Sequence, residues 1–95
     1  MPLTSPEIRK LKAAAQHLDP VVRVGKGGLT ATVLQSIEQA LAARELIKIR
    51  FDYDREERDV LAVQIAQATG AALIMQVGKV AVYYRPKPTE TNQPL

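Results

Sequence analysis

The chain has 95 residues, enough for one domain around one core. Its hydrophobic share of 46% excludes a disordered chain, and the absence of cysteine excludes disulfides and thiolate metal sites. Thirteen Lys and Arg against ten Asp and Glu give a net charge of +3, too little by itself to name a polyanionic partner.

The opening residues, Met1-Pro2-Leu3-Thr4-Ser5-Pro6, lack a basic region followed by an apolar run, so no signal peptide is expected. No apolar stretch approaches the ~18 residues of a membrane span. The expected location is the cytoplasm.

Thr4-Ser5-Pro6-Glu7 predicts a helix start. Ser5 can cap, Pro6 suits the first helical position, and Thr4 with Glu7 has capping-box spacing. Ile8, Leu11, Ala15 and Leu18 recur at helical spacing, with Arg9, Lys12 and Gln16 in a stripe beside them and Lys10 further round. Asp19-Pro20 should end this helix. Val21-Val22-Arg23-Val24 reads as a short strand, and Gly25-Lys26-Gly27-Gly28 as a loop. Thr30 can cap a second helix to about Arg44, buried along Val33, Leu34, Ile37, Ala40 and Leu41.

Leu46 to Phe51 alternates, with Ile47, Ile49 and Phe51 on one face and Lys48 and Arg50 on the other. Asp54 and Glu57 have capping-box spacing for a third helix, closing at Gly70 after Thr69. Ala72–Val77 and Val80–Arg85 are β-rich runs joined by Gly78-Lys79, a tight hairpin with glycine first. The order α-β-α-β-α-β-β implies an α/β fold, a mixed four-stranded sheet packed against three helices. The two crossovers should give parallel pairings. Residues 1–86 form the expected domain, and residues 87–95, rich in proline, a flexible tail.

Charge is unevenly spread. Residues 52–59 hold five acids and two bases, a local −3, which leaves +6 elsewhere. A polarised molecule with one basic side is expected, the acidic helix start turning away from a polyanion.

The glycine loop carries the chemistry. Three glycines in four residues let a backbone approach a ligand closely. The loop leads to a helix start, where unpaired N–H groups favour an anion, and Lys26 adds a cation. The nucleotide P-loop spacing is absent, and the third glycine of a dinucleotide fingerprint would fall on Thr30. What remains is a GxxG element of the kind that clamps a nucleic-acid backbone. By itself the spacing also fits a tight turn that needs glycine for geometry.

Several stretches together resemble a known family. They are Leu18-Asp19-Pro20-Val21-Val22, Val24-Gly25-Lys26-Gly27-Gly28-Leu29-Thr30, Ile37-Glu38-Gln39-Ala40-Leu41, and Glu45-Leu46-Ile47-Lys48-Ile49. Thr69-Gly70-Ala71 and Gly78-Lys79 through Tyr84-Arg85-Pro86 complete the set. Over about residues 5–86 they are similar to the CRM domain, named for chloroplast RNA splicing and ribosome maturation. A single-domain chain of this size resembles the bacterial YhbY group. The resemblance implies a fold related to the C-terminal domain of translation initiation factor three. It also implies binding to RNA, in particular precursor ribosomal RNA of the large subunit within a pre-ribosomal particle. It places the RNA surface on Gly25, Lys26, Gly27, Gly28, Arg9, Lys10 and Lys12. One departure is that only Lys26 of the loop's two middle residues has a side chain to offer.

Arg23, Lys48 and Arg50 would join that surface if their sheet face meets RNA, and Lys79 if the hairpin turn does. Alternation puts Tyr83 and Tyr84 on opposite faces, so one belongs to the core. With one Phe, three Tyr and no Trp, backbone and shape recognition is expected over base readout. His17, the lone histidine, builds no metal site or triad and reads as structural. Glu56, Glu57 and Asp59 suit a helix start better than a metal. No cofactor, no enzymatic activity and no membrane partner are expected, and the chain is expected to be a monomer. The alternative is a protein-interaction module whose basic face docks an acidic partner.

Overall fold

The computed structural model describes residues 3–87. In chain order the elements are α1 (Ser5–Ala15), β1 (Val22–Val24), α2 (Ala31–Arg44), β2 (Leu46–Phe51), α3 (Arg55–Thr69), β3 (Ala72–Val77) and β4 (Val80–Tyr84). The α/β fold class and element order are those expected. The tail expected from residue 87 lies, beyond Lys87, outside the described residues.

Local signals account for most boundaries. The Thr4 hydroxyl accepts from the Glu7 N–H at 3.3 Å, and the Glu7 carboxylate accepts from the Thr4 N–H at 2.9 Å. Thr4, rather than Ser5, is therefore the cap of α1. This helix stops at Ala15, short of Asp19-Pro20. Thr30 caps α2 through the Val33 N–H at 3.1 Å. Asp54 sits at the N-cap of α3 but makes no side-chain capping bond, so the second expected capping box does not form. Gly70 closes α3 with φ +74°.

The sheet order is β1-β2-β4-β3. β1 and β2 are parallel, with Val22, Arg23 and Val24 opposite Ile49, Arg50 and Phe51. The expected parallel pairing of β2 with β3 is not made. β4 lies between them, antiparallel to both. The reason is burial: Ala81, Val82 and Tyr83 are all buried, so both faces of β4 need cover, and only a central strand has it.

The two faces have different cover. Ile47, Ile49, Phe51, Ala81 and Tyr83 form the main core with Ile37 and Leu41 of α2 and Ala62 and Ile65 of α3. On the opposite face α1 lies against β2, β3 and β4. There Lys10 and Leu11 adjoin Tyr84, and Gln16 adjoins Lys48 and Val82. A bulge between Leu73 and Met75 shifts the β3 register. It lets Leu73 face the main core while Met75, two residues on, joins the α1 side.

Candidate nucleic-acid interface

The parallel β1–β2 pair brings two loops to one end of the sheet. Asp52 N–H donates to the Val24 carbonyl at 3.0 Å, so the residues after β2 lie beside those after β1. Gly28 N–H donates to the Gly25 carbonyl at 3.0 Å and closes a four-residue turn. Gly28 has φ +71°, a conformation costly for any residue with a Cβ. The Tyr53 hydroxyl also donates to the Gly25 carbonyl, and Leu29 packs on the core. The loop is thus held on both sides.

Gly25 and Gly27 are different. Neither has positive φ, and a Cβ at Gly25 would meet nothing within 4 Å. At Gly27 it would make an ordinary contact of 3.6 Å with Thr30. The fold does not need glycine at either position. What their bareness provides is a low outer surface beside the exposed Lys26 and the start of α2, whose first turn carries no acid. Together these suit an anionic oxygen.

Arg23 and Arg50 sit side by side across β1 and β2. Asp52 joins them: its carboxylate accepts from Arg23 Nε at 2.6 Å and from Arg50 Nε at 3.4 Å. The Arg23 hydrogen bond, ahead of the charges of both guanidinium groups, holds the Asp52 carboxyl below its ordinary value. The same bond raises Arg23. One carboxylate cannot cancel two guanidinium groups, so the cluster remains cationic. The side chains of Arg23 and Arg50 are 68% and 46% exposed. Lys79 belongs to the same end, because its carbonyl accepts from the Phe51 N–H at 2.8 Å.

Of the basic residues of α1, Lys10 lies toward the other end of the sheet. Arg9, Lys10 and Lys12 are exposed, but Lys10 adjoins Tyr84, which pairs with Leu46 at the start of β2. The loop adjoins Phe51 at its end. Five strand residues, about 17 Å, separate those levels. Lys48 is half-buried between, under Gln16.

The acidic stretch does not turn away from the loop. Tyr53, which holds Gly25, shares a hollow with Glu56 and Glu57 of the first turn of α3. Basic and acidic groups therefore meet at one end of the molecule, which is less polarised than the sequence suggests. Tyr83 is the core tyrosine. It has no exposure, its hydroxyl donates to the Ala62 carbonyl at 2.8 Å, and burial pushes its ionisation well up. Tyr84 is half-buried on the α1 side and His17 is exposed. Asp52 and Tyr53 are the two residues that sequence reasoning missed. Their signal was the parallel β1–β2 register.

The fold is thus a mixed α/β sheet that presents a glycine turn at a helix start, flanked by paired arginines. The chain belongs to the CRS1 / YhbY (CRM) domain family, whose profile matches residues 3–85. It is 41% identical over 85 residues to a Haemophilus influenzae protein named "RNA-binding protein", covering 88% of this chain and 86% of the relative. It is 34% identical over 84 residues to the Bacillus subtilis protein "Probable RNA-binding protein YqeI", covering 87% and 88%. A solution structure of a Staphylococcus aureus protein, described there as a proposed RNA binder, superposes with a TM-score of 0.80 at 30% identity, covering 97% and 95% of the two chains.

Proposed function

We propose that this chain binds RNA, and that the glycine turn Gly25–Gly28 with Lys26 is the centre of its phosphate contact. The observation that carries the reading is the division among the three glycines. Gly28 serves the turn, while Gly25 and Gly27 leave an open surface at an acid-free helix start. Arg23, Arg50 and Lys79 extend the contact at that end, and Lys48 lies one level up the sheet. Arg9, Lys10 and Lys12 form a second basic area that a long or folded RNA reaches across the α1 face. The names of the relatives support RNA as the polyanion.

The finer reading rests on the resemblance to the YhbY group. The RNA is precursor ribosomal RNA of the large subunit, bound by a monomer within an assembling particle, through backbone and shape and without covalent chemistry. Replacing Lys26 with Glu tests the site. The variant should keep its circular dichroism and thermal midpoint and lose most RNA binding; unchanged crosslinking to RNA would overturn the assignment. Crosslinking in cells, followed by sequencing of the bound RNA, tests the partner. Reads should concentrate in large-subunit precursor; a spread over unrelated messenger RNAs would overturn that part.

A further inference from the structure

The α1 side of the sheet carries two cross-strand rows that the glycine loop does not use. The first runs over all four strands as Arg23, Arg50, Val80 and Val77. The second contains Lys48, Val82 and Met75. Cross-strand partners share a face about 5 Å apart. One half of this surface is therefore cationic and the other half aliphatic. The aliphatic half is incompletely covered: Val77 is 64% exposed, and a hollow of about 390 Å³ opens beside it. Gln16, at the C-terminal end of α1, and Lys48 supply its polar edge. That volume falls in the range of small-ligand sites.

A nucleotide has the same two parts, an anionic phosphate and a flat apolar base with a polar edge. We infer that the hollow takes one unstacked nucleobase of single-stranded RNA. Val80, Val77 and Met75 form the floor beneath its ring. The Gln16 amide, which both donates and accepts, meets its edge. Arg50 and Arg23, one and two strands from Val80, hold the adjoining phosphates. Charge complementarity selects this occupant, because the apolar hollow continues directly into a row of guanidinium groups that Asp52 only half neutralises. The inference rests on the RNA reading above. It adds base recognition to a protein otherwise expected to read backbone alone, and it uses aliphatic rather than aromatic side chains.

The test compares two probes of equal length and charge, a single-stranded RNA of mixed sequence and an abasic ribose-phosphate strand. Methyl resonances of Met75, Val77 and Val80 are followed in the whole protein. The base-bearing strand should bind about tenfold tighter, within the range for one sequestered base, and should shift those methyls. Gln16→Ala with Val77→Ser, both at exposed positions, should reduce the preference below about threefold and leave abasic-strand affinity unchanged. Equal binding of both probes with unmoved methyls would overturn the base site and leave phosphate binding standing. Binding of neither probe would overturn the RNA reading and this inference with it. Methyl shifts that grow with protein concentration alone would assign the hollow to a second copy of the chain and overturn the inference.

Discussion

Glycines of one loop can serve different ends. Gly28→Ala should cost about 1–2 kcal/mol, because alanine in the left-handed region crowds the next carbonyl. Gly25→Ala and Gly27→Ala should leave the urea midpoint unchanged and weaken RNA binding, since their added methyls stand where a phosphate would approach. A midpoint loss at Gly25 equal to that at Gly28 would refute the division. Asp52 gives a pH dependence. Its carboxyl is held low by the Arg23 hydrogen bond, so its contribution is complete above the unfolded carboxylate value, near pH 4. It is lost as pH falls through the lowered folded value. Thermal midpoints should drop in that acid window, and Asp52→Asn should flatten part of the drop. Glu7, held low chiefly by the Thr4 N–H, contributes with the same sign.

At the level of elements, patterning made most boundaries legible. α2 ends at Arg44, β2 covers Leu46–Phe51 and α3 ends at Thr69, as their apolar stripes, alternation and glycine stop indicate. The place of β4 was legible only in retrospect. Its run Val80-Ala81-Val82-Tyr83-Tyr84 has no polar face, the mark of a strand covered on both sides. A hairpin turn says which strands are neighbours but not which one joins the existing pair. Asp52 and Tyr53 escaped notice for a related reason. They meet Arg23 and Gly25 from 29 and 28 residues away, and only the β1–β2 register brings them there. Arg85 ties elements in the same long-range way. Its guanidinium donates to Glu38 of α2 and to the Thr69 carbonyl at the end of α3, each at 2.8 Å. Arg85→Met should lower stability by about 1.5–3 kcal/mol, the scale of hydrogen bonds to charged groups. A urea titration should show a lower midpoint with an unchanged slope.

For the whole molecule, the layout of charge matters more than the net +3. Among the described residues, Arg23, Lys26, Arg50 and Lys79 gather at the loop end clear of the acids of α3, Arg55 and Arg58 stand there among those acids, and Arg9, Lys10 and Lys12 lie on α1. If a short single strand touches only the loop end, the logarithm of affinity should fall against the logarithm of salt with a slope of about −2.8. A longer structured RNA that spans both areas should steepen it to about −6, the duplex value for about seven contacts. Equal slopes for short and long RNA would show that α1 takes no part.

The double hold on the glycine turn, by Tyr53 from one side and Leu29 from the other, has a kinetic consequence. A loop already in shape has little ordering left to do at the moment of encounter. Association should then be limited by diffusion and charge steering, with the on-rate falling steeply as salt rises. Tyr53→Phe releases the Gly25 carbonyl and returns that ordering to the encounter. Stopped-flow mixing should show slower association in the variant, together with a thermal midpoint close to that of the parent.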